Sequence, residues 1–326
     1  MMKLSILDQA PIFPGHTASQ ALQATIELAK LAEEWGYTRY WMAEHHGLEN
    51  IACSNPETML GFLGAITSNI RLGSGAVLLP HYRSYKIAET YNQLAVLCPG
   101  RIDIGIGRGP GGSAETVIAL SGNFLENVKA FPEKVTELLH FLRRDFTENN
   151  IFAKINPNPI PRFSPLPWML GTSEKSAQLA AKMGTGYVFG EFMSENDGEA
   201  AIRNYRTHFE PGPEFSSPYT ILTVQVVCAP LQEEANDITY SVLHKQLVEE
   251  KRSLKQNPIL NEEDKRKLRN KIEKVIAGTP EMVKRKLEKL HAAYQADEIM
   301  VITYTNDYQQ RKDSYRLLSE SILQIK

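Results

Sequence analysis

Three cysteines in 326 residues, none in a paired or metal-ligand spacing, exclude a disulfide framework and a cysteine-ligated zinc site. Cys53, Cys98 and Cys228 are read as packed side chains in a reducing compartment. Long apolar runs are also missing, and the short amino-terminal Leu4–Leu7 stretch cannot serve as a signal peptide. A cytoplasmic protein with no membrane partner is expected. Charge is balanced, with 36 Lys and Arg against 38 Asp and Glu, and it gathers into no basic stripe or polybasic tail. Nucleic acid is therefore not an expected partner. The chain lacks HExxH spacing, and no metal site is expected.

What the chain does have is a steady alternation of strand and helix signals. Leu4–Leu7 reads as a first strand, and Thr17 with Gln20 forms a capping box for an amphipathic helix that Gly36 is placed to end. The second strand leads to Glu44, and Asn55–Pro56 starts the next helix. Arg71–Leu79 is the third strand, Ser84–Cys98 a helix stopped by Pro99–Gly100, and Ile102–Ile106 the fourth strand. A helix over roughly Glu126–Arg143 and a proline-studded connection precede strands at Trp168–Gly171, Gly186–Phe189, Tyr219–Cys228 and Glu298–Tyr304, with a closing helix to Ile325. This order predicts an α/β fold, a (β/α)₈ TIM barrel in one domain spanning 1–326. Between strands seven and eight lies a charge-rich helical insertion, 249–277, read either as a solvated surface segment or as a lid over the active face.

Chemistry is expected where strands stop. Arg39-Tyr40-Trp41-Met42-Ala43-Glu44-His45-His46 ends a strand on a carboxylate and two imidazoles, which makes His45 and His46 the candidate catalytic pair. If the strand still alternates there, Glu44 and His46 point away from His45, suiting them to orient or hydrogen-bond. Gly73-Ser74-Gly75-Ala76 places glycine inside a strand, where it weakens pairing unless the backbone bulges or approaches a ligand. Gly107-Arg108-Gly109-Pro110-Gly111-Gly112 matches a dinucleotide loop in letters only. Pro110 removes a donor from it, and no ribose-binding acid follows. Thr172-Ser173 with Ser176 could cap a helix or offer donors to an anion. Asp8–Gln9, His81-Tyr82-Arg83 and Glu191-Phe192-Met193 are expected at the mouth.

Taken in order, Ala43–His46, Ile51–Glu57, Gly73–Pro80, Pro99–Gly109, Gly171–Ser176, Gly278–Glu281 and Asp297–Val301 resemble the bacterial luciferase-like flavin monooxygenases over nearly the whole chain. The chain departs at Ser84–Tyr85 and in the Gly109–Gly112 loop, both where substrate would enter. The resemblance implies FMN as cofactor, reduced by a separate reductase, and oxidation of a small organic substrate with O2. It puts His45 beside the flavin ring, a cis peptide at Gly75–Ala76 beneath that ring, and Arg108 with Thr172, Ser173 and Ser176 at the phosphate. It implies a homodimer as well. Two alternatives stay open: a deazaflavin-dependent hydride-transfer oxidoreductase, and a non-catalytic flavin-binding protein.

Overall fold

The computed structural model describes residues 2–254 and 256–323. Its strands are β1 (Lys3–Asp8), β2 (Arg39–Met42), β3 (Arg71–Ser74), β4 (Val77–Leu78), β5 (Ile102–Gly107), β6 (Leu166–Gly171), β7 (Gly186–Gly190), β8 (Thr220–Cys228), β9 (Ile276–Gly278) and β10 (Glu298–Ile302). Strands β1, β2, β3, β5, β6, β7, β8 and β10 pair in parallel and in that order, and β10 closes on β1, giving an eight-stranded barrel. Helices between the strands cover its outside. No helix among the described residues is long and apolar enough to cross a membrane.

Alternation along each strand sorts the side chains. On β2, Tyr40 and Met42 pack outward against the helices, while Trp41 and Ala43 join Leu7, Trp168, Ile221 and Met300 inside. The amino-terminal end of the interior is filled by charge. Arg39 donates through Nε to Glu298 at 3.0 Å and through Nη1 to Asp103 at 2.7 Å, and Arg71 reaches Asp103 at 2.6 Å. Trp41 Nε1 also donates to Asp103 at 3.1 Å, and the Arg39 guanidinium lies 4.6 Å from the Trp168 ring centre. Burial alone would raise the Asp103 carboxyl, but Arg39 and Arg71 outweigh it and hold the group below its ordinary range.

Local chemistry accounts for the helix boundaries. Ala18–Glu34 begins with the Thr17–Gln20 capping box, Pro56–Ile66 with Asn55 accepting from Thr58 N, and Pro280–Tyr294 with Thr279. The helix expected over Glu126–Arg143 is broken. Ala114–Ser121 ends at Gly122, Phe124–Lys129 follows, and Phe131–Arg143 starts afresh because Pro132 fits a first turn and not a helix interior. The closing helix is Tyr308–Ile322, and Ile325 lies outside the described residues.

The third strand is not the continuous run Arg71–Leu79. It pairs with β5 at Gly73↔Asp103 and again, as β4, at Val77↔Ile106, so four steps on one side match three on the other. The extra residue is a bulge. Within it the Gly75–Ala76 peptide is cis. Ser74 replaces the lost ladder bonds, its Oγ accepting from Gly105 N at 3.2 Å and donating to Gly105 O at 3.1 Å. A Cβ on Gly105 would lie 2.0 Å from the Ser74 carbonyl oxygen, so only glycine fits there.

The insertion is larger than its charge-rich portion. It begins with Gln232–Ser253, turns, and returns as Glu262–Lys274 into β9, which pairs with the end of β8. These helices bury their own apolar cluster, Ala235, Val242, Leu247 and Leu268 among its members, and enclose an ion pair between Lys251 and Asp264. Lys255 within the expected 249–277 segment lies outside the described residues. The apolar cluster escapes a reading of the charged part alone because most of it comes from β8 and the first helix.

Candidate active site

At the carboxyl ends of the strands the barrel opens into a cavity of about 1080 Å³. His45, Gly75, Ala76, Arg108, Thr172, Ser173 and Ser176 all line it, brought from β2, the bulge, β5 and β6. His46 does not. It leaves the strand on the outer side, where its Nε2 lies 2.7 Å from Glu44 Oε1, and its ring never enters the cavity. The alternation that directs His45 inward directs His46 outward.

His45 continues the inward series after Trp41 and Ala43. Its Nδ1 is buried and has no hydrogen-bond partner. Burial, with the neighbouring His46 adding to it, pulls the imidazole below its ordinary pKa, so the ring is neutral at neutral pH and can accept a proton. Glu44 borders the cavity too, but its carboxylate is an anchor, bonded within the protein. Besides His46, it accepts from the Tyr82 hydroxyl at 2.6 Å and from Leu78 N at 3.0 Å, tying the end of β2 to β4 across the bulge. Near it, burial lifts the Glu57 carboxyl to about 7, with Glu44 repulsion assisting and His46 opposing.

The opposite wall is built for anions. Ser173 caps Glu174–Met183, accepting from Ser176 N, while Ser176 Oγ bonds back to the Ser173 carbonyl at 2.6 Å. Capping is thus a present role of both hydroxyls. The end of β6 presses onto this turn, since a Cβ at Gly171 would meet Ser176 Oγ at 2.1 Å. Arg108, Lys175 and Lys182 also line the cavity, and among the described residues none of them has a carboxylate partner. Lys175 lies in the first turn of this helix and Lys182 in its last, and with Arg108 they give the cavity three free cations, a set that favours a phosphate or carboxylate. The two lysines were missed in the sequence, although their seven-residue spacing places them on one helix face.

The mouth differs from expectation in part. Gln9, Phe192 and Met193 line it. Asp8 instead points outward, bonded to Thr25 at 2.8 Å and to Arg311 at 2.6 Å, because it lies one position out of phase with Gln9. Tyr82 serves Glu44. His81 grips the glycine-rich loop, its Nε2 donating to Pro110 O at 2.9 Å. Arg83 and Glu191 lie outside the lining. The cysteines are buried, and burial pushes the thiols of Cys53 and Cys228 up to about 12, far from reactivity at neutral pH.

A closed parallel barrel with its cavity at the strand ends, a neutral imidazole on one wall and free cations on another has the architecture of an enzyme of the barrel class. Residues 2–296 match the luciferase-like monooxygenase family model, and the chain belongs to that family. It is 39% identical over 337 residues to an N-acetyl-S-alkylcysteine monooxygenase of Bacillus subtilis strain 168, covering 100% of both chains. A luciferase-like monooxygenase of Escherichia coli K12 is 32% identical, with 96% of this chain and 95% of the relative covered. The crystal structure of apo-MsnO8 superposes with a TM-score of 0.86 at 32% identity, covering 99% of each chain.

Proposed function

We propose that this chain is an FMN-dependent monooxygenase, taking reduced FMN from a separate reductase and using O2 to oxidise a small organic substrate. The observation that carries this is the union, in one cavity, of unpartnered His45 Nδ1, the Gly75–Ala76 bulge and the cations Arg108, Lys175 and Lys182 on the wall that holds Ser173. Arg108, Thr172, Ser173 and Ser176 would hold the phosphate, and Gly75–Ala76 would support the ring. Bound and reduced, the flavin supplies the electrons that activate oxygen. His45, neutral and half-buried, would accept a proton beside the ring and return it. Glu44 fixes the backbone on which both His45 and the bulge depend. We read the whole chain as one catalytic domain, acting in the cytoplasm as a homodimer.

The relative that oxidises N-acetyl-S-alkylcysteines sets the first substrate panel, small thioether carboxylates, whose negative charge suits the cationic wall. Oxygen uptake with reduced FMN should rise on adding a member of such a panel, and FMN should bind at least tenfold more tightly than riboflavin, a scale of about 1.4 kcal/mol. Equal binding of the two would remove the phosphate assignment. A deazaflavin as the extracted cofactor, identified by its absorbance spectrum, would replace the reaction with hydride transfer.

A further inference from the structure

Among its described residues the inserted hairpin contributes no side chain to the cavity, yet its last helical residue reaches the cavity wall. Lys274 Nζ donates to the Ser194 carbonyl at 3.1 Å and pairs with Glu195 at 2.5 Å. Ser194 and Asn196 in turn hold the Thr172 carbonyl, through Oγ at 3.3 Å and Nδ2 at 2.6 Å. The same short turn, Glu191–Met193, carries Phe192 and Met193 into the cavity. One ammonium therefore supports an apolar wall and, two bonds further on, the residue that precedes the Ser173 turn.

Lys274 is well placed to bear that load. Its helix opens with a capping box at Asn261 and Asp264, buries Leu268, and is clasped by the Lys251–Asp264 pair. Two residues after it, Ile276 is already paired with Val226 of β8, so its backbone is tied to the barrel itself. A cation in the last turn also suits the negative end of the helix dipole. The supported turn has less of its own: Glu195 is 90% exposed at its side chain and Met193 is 67% exposed. An exposed pair such as Lys274–Glu195 contributes little. The bond to the Ser194 carbonyl is the mechanical link.

We propose that Lys274 is a positioning residue, which sets the Phe192–Met193 wall and the Thr172–Ser176 phosphate turn from outside the cavity. The insertion is then a buttress and not a lid. The part concerning phosphate rests on the FMN reading above; the part concerning the loop does not.

The test uses the full-length protein and three variants, Lys274→Ala, Lys274→Arg and Glu195→Gln. Hydrogen–deuterium exchange without flavin should quicken at residues 191–196 and 172–176 in Lys274→Ala, return toward wild type in Lys274→Arg, and stay unchanged in Glu195→Gln. FMN should bind Lys274→Ala about fivefold more weakly, within the effect of losing one charge-assisted hydrogen bond, while riboflavin affinity is unaltered. Should wild type show no preference for FMN over riboflavin, the phosphate reading falls and the exchange result still decides the role of Lys274. Unchanged exchange at 172–176 in Lys274→Ala, or faster exchange spread over the whole barrel, would overturn the proposal.

Discussion

The two ends of this barrel treat polar side chains in opposite ways. At the amino-terminal end Arg39, Asp103 and Glu298 are buried together, Arg71 joins them half-buried, and their acceptors and donors meet one another. At the carboxyl end His45 has a buried nitrogen with no partner, and Arg108, Lys175 and Lys182 have no counter-charge among the described residues. The lower end pairs its charges within the protein, although the buried Trp168 Nε1 beside Arg39 has no partner among the described residues. The upper end leaves these groups open toward the cavity. A group whose bonds are all made within the protein contributes to folding, whereas a group left open can spend its bonds on something that arrives.

The sharpest way to break this contrast is to remove one partner from the lower end. Arg39→Met leaves Asp103 and Glu298 facing each other without their shared cation, and should cost about 3–5 kcal/mol in chemical denaturation. A loss below 1 kcal/mol would show that the network is ornamental to stability.

The matching change at the upper end should behave differently. His45→Ala should leave the denaturation midpoint close to wild type and lower substrate-dependent turnover by about 10²-fold, the scale of a lost general acid or base. Because burial and His46 hold the His45 pKa below 6.5, wild-type activity should persist through neutral pH and fall only on acidification beneath that value. An acid limb above pH 7 would assign the titration to another group.

The smallest effect probes the boundary between the two regimes. Glu57 titrates at about 7 in the folded protein against 4.5 ordinarily, so between those values the folded state holds a proton that the unfolded chain has released. Stability must then fall as pH rises through that window and remain lower above it. Glu57→Gln should melt about 2 °C above wild type at pH 8 and no higher than wild type at pH 4. The same difference at both values would mean that packing, not charge, separates the variants.

Local signals made much of the fold legible. The Thr17–Gln20 box, Asn55 and Gly36 act within a turn of their own positions, and each marks the boundary it was expected to mark. The opposite facing of His45 and His46 followed from strand alternation alone. Links between distant segments were not legible. Nothing near Arg39 announces Glu298, and nothing near Glu44 announces Tyr82 or Leu78, because those partners meet only when the sheet closes. Asp8 failed for a smaller reason, a one-residue error of phase. The hairpin failed for a larger one: its charged face is visible in sequence, but the apolar face is shared with β8 and the preceding helix.

The network of Arg39, Asp103 and Glu298 spans β2, β5 and β10, three strands whose register it fixes from below. A strand that slipped by one residue would turn its charge out of the barrel. Register is therefore decided far from the loops, and mutations accumulating in those loops do not have to preserve it. The lower end is thus the constraint on the barrel, and the upper end is free of it. A change in the Gly109–Gly112 loop, which lines the cavity, would leave that register untouched, whereas Ser84–Tyr85 lies outside the cavity, bonded to the Lys134 and Asn156 carbonyls.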